Sequence, residues 1–187
     1  LSELLQAVHD PALGRDTVAA LLLRGVAGAG KSTLLQRHEQ ALCLDYLRRT
    51  CRADGADDIG VLEVPLYVRL ASLPADADPV DWLRGQVLKL YPACLPLHDL
   101  LQGRSPPGGE RLRLRLLLDG LNELPEPANA GRVQRANQVV SQLCEELKLR
   151  LAPLLSSRGQ HGFEQLGRVQ RGACVQVQPW GADLVKA

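Results

Sequence analysis

Residues 25–32 read Gly-Val-Ala-Gly-Ala-Gly-Lys-Ser, the G-x-x-x-x-G-K-S spacing of a phosphate-binding loop. Its glycines let the chain curl tightly, so that backbone N–H groups along Gly25, Val26, Ala27, Gly28, Ala29 and Gly30 can point inward at phosphate oxygens. Lys31 can reach β- and γ-phosphates, and the Ser32 hydroxyl can ligate Mg²⁺. A helix beginning at this point aims the positive end of its dipole at the same anion.

A phosphate loop needs a metal partner. Leu112-Arg-Leu-Arg-Leu-Leu-Leu-Asp119 supplies one, because an apolar strand that ends in aspartate carries a carboxylate to the edge of a sheet. Asp119 is therefore the candidate Mg²⁺ acid. Glu123 follows four residues later in Asp-Gly-Leu-Asn-Glu and could polarise an attacking water. Ser156-Ser157-Arg158 closes another apolar run, and Arg158 could touch a γ-phosphate there.

These residues need a scaffold that brings them to one edge. Strand patterns occur at Val18–Arg24, Val61–Leu70, Leu112–Asp119, Ala152–Ser157 and Cys174–Gln178. Pro65 cannot donate to a ladder, so the second strand is expected at an edge or with a bulge. Helical patterns run from Ser32 to about Cys51, from Pro79 to before Pro92, and from about Gly131 to Arg150, with a short one near Gly162–Gly167. In the third, Val133, Ala136, Val140, Leu143 and Leu147 form one apolar stripe. Gly103–Glu110 reads as a surface loop. Strands alternating with helices predict an α/β three-layer sandwich on a mainly parallel sheet.

The bulk numbers exclude several classes. The 187 residues fit one domain, and a net charge of +1 gives no global attraction to nucleic acid or anionic membrane. No apolar run is long enough to span a bilayer. Aromatic residues make up 3% of the chain, too few for a base-stacking platform. Arg111, Arg113 and Arg115 alternate with leucines and read as one solvated face at the start of a strand. The five cysteines are scattered and odd in number, which suits reduced thiols in the cytoplasm. The four histidines show no ligand spacing. The chain contains no methionine, even at position 1, and so reads as a piece of a longer protein.

LLLRGVAGAGKSTLLQ (21–36), VPLYVRLASL (64–73), RLLLDGLNEL (115–124) and LLSSRG (154–159), with VQVQPW (175–180) as a weaker match, resemble the NACHT branch of the STAND signal-transduction NTPases, which includes NOD-like immune receptors. The most family-specific sign is Gly120 directly after Asp119. The resemblance implies a five-stranded sheet in the order 2-3-4-1-5. It implies that Lys31 and Ser32 bind phosphate and Mg²⁺, that Thr33 lies near the α-phosphate, that Asp119 is the Mg²⁺ acid, that Glu123 activates water and that Arg158 is the sensor. It also implies ATP or GTP as the bound nucleotide. Residues 1–187 would be the NTPase core, with helical and winged-helix modules following, and Trp180 would sit where they dock. Nucleotide state would control self-association of the parent chain in signalling or innate defence.

One departure is Asn122, where the family commonly has a second aspartate. Asparagine cannot act as a base but can orient water or a loop, so binding is expected to survive while hydrolysis is slow. The competing functions are a nucleic-acid-associated ATPase, a small-molecule kinase with 103–110 as its lid, and a scaffold that binds nucleotide without turnover. The placement of the acids and the near-neutral charge argue against the first.

Overall fold

The computed structural model describes residues 20–51, 61–105, 111–125, 131–158 and 173–176. Five strands form one sheet: β1 (Leu21–Arg24), β2 (Leu62–Arg69), β3 (Leu112–Asp119), β4 (Leu154–Ser157) and β5 (Ala173–Gln176). They lie in the order β2-β3-β4-β1-β5, and every pairing is parallel. A parallel sheet needs crossovers, and between β1 and β4 helices supply them: α1 (Lys31–Cys51), α2 (Pro79–Leu90), α3 (Leu95–Leu101) and α4 (Arg132–Glu146). The short helix expected near 162–167, the segment from Pro179 onward and the first residues of the first expected strand lie outside the described residues.

Side-chain parity sorts the core into two layers. Leu66, Val68, Leu114, Leu116 and Leu118 face α2–α4, where Leu83, Val87, Val139, Val140 and Leu143 complete the larger cluster. Leu21, Leu23, Leu117 and Leu154 face the other way and pack on Leu35 of α1. Of the stripe expected on α4, Ala136, Val140 and Leu143 are buried, as is Leu147 just beyond the helix, and Val133 packs against them. Trp82 of α2 packs on the same cluster.

Pro65 lies on β2, which is paired on one side only and forms an edge of the sheet. Asp78 starts α2, its Oδ1 accepting the N–H groups of Val80 and Asp81, both at 2.9 Å, with Pro79 opening the helix. Residues 95–101, too short a stretch to show a helical period in the sequence, form α3. Its Leu97, Leu100 and Leu101 are buried at helical spacing.

The solvated arginine face expected at the start of β3 needs correction. Arg111 is exposed and Arg113 half-buried, but Arg115 is 1% exposed. Arg115 donates from Nε and Nη2 to the two carboxylate oxygens of Glu63, each at 2.8 Å, and from Nη1 to the Ala152 carbonyl at 2.6 Å. Glu63 neutralises the cation, and its carboxylate with the Ala152 carbonyl gives each of the three guanidinium nitrogens a partner, which makes the burial tolerable.

Candidate functional site

The parallel register brings the carboxyl ends of the strands to one edge. Arg24 stands level with Ser157 and with Gln176, and Arg69 stands level with Asp119. The loop after β1 therefore opens beside the turns that follow β3 and β4.

Residues 25–30 bend as their glycines allow. Gly28 and Gly30 take φ of +76° and +84°, a region that disfavours residues with a β-carbon. Gly25 is buried and donates its N–H to the Ser157 carbonyl at 3.3 Å, which ties the loop to the end of β4. Ala29 is fully buried beneath the loop, and its N–H reaches the Val26 carbonyl at 3.2 Å. Val26, Ala27, Gly28, Ser32 and Thr33 are exposed on the open side. No acid occupies the first turn of α1, which begins at Lys31.

Lys31 stands at the centre of this edge. Its Nζ donates to the carbonyls of Gly25 and Val26, both at 2.8 Å, bracing the loop from within. Burial lowers its pKa below the ordinary lysine value, and nearby Arg158 lowers it further, while Asp119 and Glu123 pull the other way. One cation thus feels the charge of the three other candidate residues.

Asp119 is 9% exposed and held at both carboxylate oxygens. Tyr67 Oη donates to Oδ2 at 2.7 Å, and Ser156 Oγ donates to Oδ1. Ser156 Oγ also accepts the Gly120 N–H at 2.9 Å, so β3 and β4 are stitched at the point where the acid leaves the sheet. Gly120 itself adopts φ +81° and ψ 47°. Residues Leu121–Glu123 then close a single 3₁₀ turn, in which the Glu123 N–H bonds the Gly120 carbonyl at 2.7 Å. The turn sends Asn122 inward, 8% exposed, and leaves Glu123 outside. Glu123 Oε1 lies 3.6 Å from Arg158 Nη2, with both side chains about half exposed.

Tyr67 and Ser156 are the residues whose part in this site the sequence reading missed. Tyr67 is fixed in turn: its N–H donates to Glu39 Oε1 at 3.2 Å, and its Oη accepts from Arg69 Nε at 3.4 Å. Burial, and then the bond to Asp119, push the phenol pKa up, so it remains a donor at neutral pH. One signal could have found it: an odd-numbered polar residue near the end of β2, on the strand next to the one that carries Asp119.

The chain matches no protein-family model and no curated protein. It is similar to the solved structure of C. elegans PCH-2, with a TM-score of 0.51 and 16% identity, over 95% of this chain and 40% of that one. Two further solved structures are similar at lower scores. A DnaB-like replicative helicase, solved with attention to its interactions with primase, gives a TM-score of 0.38 and 13% identity over 81% of this chain and 41% of that one. AMPPCP-bound DnaA from Aquifex aeolicus gives 0.40 and 14% over 92% and 44%. This chain spans about two fifths of the length of these solved chains. The chain has an α/β fold with a parallel sheet, similar to that of the PCH-2 structure. No described helix is long and apolar enough to cross a membrane.

Proposed function

We propose that this chain binds ATP or GTP together with Mg²⁺, hydrolyses it slowly, and lets nucleotide state control self-association of a larger cytoplasmic signalling or innate-defence protein of the NACHT branch. The observation that carries this reading is the gathering of Lys31, Asp119, Glu123 and Arg158 at one carboxyl edge: Lys31 braces the loop that Gly25 ties to Ser157, Ser156 holds Asp119, and Glu123 lies 3.6 Å from Arg158.

The donor set suits Mg²⁺. That ion is held by one or two carboxylates and hydroxyls together with phosphate oxygens, and Asp119 and Ser32 are of those types. When bound, Mg²⁺ shields phosphate charge and polarises the γ-phosphoryl group. The protein supplies the rest. The N–H groups of the loop that are not already bonded within the protein, and the Lys31 ammonium, hold the phosphates. Thr33 is exposed at the start of α1, and the resemblance would put it near the α-phosphate. Tyr67 and Ser156 keep the Asp119 carboxylate aimed. Glu123 takes the proton of the attacking water, and Arg158 reads the γ-phosphate. The NACHT assignment rests on Gly120 after Asp119, with the acid displaced to Glu123.

The nucleic-acid reading loses support with Arg115. One cation of its basic stripe is buried and neutralised by Glu63. The test of the proposal is Lys31→Ala. Mg²⁺-dependent nucleotide binding should be abolished, since the phosphates lose their main cation. Unchanged affinity in that variant would remove Lys31 from the site.

A further inference from the structure

Asn122 stands where a carboxylate would be expected from the resemblance, and it can be mistaken for a lost catalytic group. Its surroundings give it another task. Gly120 and the 3₁₀ turn rotate Leu121 and Asn122 into the protein and Glu123 out of it. There Asn122 Oδ1 accepts the backbone N–H of Arg158 at 2.8 Å.

Arg158 is the first residue beyond β4, whose ladder ends at Ser157. Its N–H has therefore left the sheet and needs a partner of its own. The other contact that holds Arg158 to this turn is its 3.6 Å approach to Glu123, an ion pair between half-exposed groups. Such a pair fixes geometry weakly. The Asn122 bond acts on the main chain of Arg158, so it sets where the guanidinium starts from. An aspartate could accept the same bond, but it would put a third carboxylate beside Asp119 and Glu123 in a site for a polyanion. The amide offers the acceptor without that charge.

We propose that Asn122 is a positioning residue: through the Arg158 main chain it holds the guanidinium where it distinguishes a nucleoside triphosphate from a diphosphate. This rests on the nucleotide-binding reading above and names how the same site discriminates its ligand.

The experiment titrates the purified protein with Mg²⁺-ADP and with a non-hydrolysable Mg²⁺-ATP analogue. The variants are Asn122→Leu, Asn122→Asp, Arg158→Ala and the Asn122→Leu/Arg158→Ala pair. Asn122→Leu should cut the preference for the triphosphate about tenfold, to the level of Arg158→Ala, with ADP affinity unchanged. The double variant should be no worse than Arg158→Ala, because both changes remove one function. Asn122→Asp keeps the acceptor and should hold the preference to within about threefold of wild type. Full preference in Asn122→Leu, additive losses in the pair, or a loss in Asn122→Asp as large as that in Asn122→Leu would each overturn the proposal. If Asn122→Leu fails to give a cooperative unfolding transition, Asn122→Ala is titrated in its place against the same expectations. Wild-type protein that binds both nucleotides equally would overturn this inference while leaving nucleotide binding intact. Wild-type protein that binds neither would overturn both.

Discussion

Replacing Gly120 by alanine tests how the backbone presents the two acids. Gly120 sits at φ +81°, and a β-carbon there costs about 1–2 kcal/mol by crowding the carbonyl. A second effect is local. The new β-carbon would lie 3.0 Å from Glu123 Oε2 and 3.2 Å from its Cδ. Glu123 is about half exposed, with 49% of its side chain open to solvent, so it can swing outward at little cost. The contact should therefore add little to the stability loss, but it moves the carboxylate. For a domain of this size each kcal/mol shifts Tm by about 2–4 °C, so Gly120→Ala should lower Tm by roughly 2–8 °C. The assay is thermal unfolding of wild type, Gly120→Ala, Glu123→Ala and the double variant, with phosphate release measured alongside. The loss should be the same in both Glu123 backgrounds, because the backbone carries it. Turnover should fall in Gly120→Ala toward the level of Glu123→Gln. An unchanged Tm would refute the strain argument, and a loss that vanishes in the Glu123→Ala background would assign the cost to the side-chain contact instead.

Glu123→Gln should keep nucleotide binding and lower phosphate release, since it removes a base while retaining shape; normal turnover would move the base elsewhere. Tyr67→Phe removes the phenol donor from Asp119 Oδ2 and should weaken Mg²⁺-dependent binding about tenfold in a metal titration, with the fold retained. His38 is 9% exposed, and its Nε2 has no hydrogen-bond partner among the described residues. Burial lowers its pKa below 6.5, with Arg115 lowering it further and Glu63 opposing. The unfolded chain therefore takes up the proton more readily. Stability should be full above about pH 6.5 and decline as pH falls through that value toward the folded-state pKa. His38→Leu should flatten this decline in a pH series of unfolding midpoints, and an unaltered slope would assign it to other groups.

What the sequence disclosed was mostly local. β3 runs from Leu112 to Asp119, the bounds its apolar pattern and the Asp-Gly turn dictate. α2 likewise starts at Pro79, which its cap residue Asp78 and fixed φ prepare. α3 was illegible because seven residues cannot show a helical period clearly, and its leucines became informative only once packed under the sheet. The features that escaped were long-range. Arg115 looked solvated because its partner Glu63 is 52 residues away, and only the β2–β3 register brings them together. Tyr67 is equally far from Asp119, and its role follows from parity and register, neither of which a single segment contains. Asn122 was visible as a departure from a pattern. Its bond to the Arg158 N–H depends on where β4 ends, 36 residues later.

The most direct test of the account is Mg²⁺-dependent binding of ATP and GTP to the purified protein and to Lys31→Ala, with phosphate release read on the same samples. The wild type should bind nucleotide only with Mg²⁺ and release phosphate slowly, and the variant should do neither. Equal binding by both proteins, or binding indifferent to Mg²⁺, would contradict it.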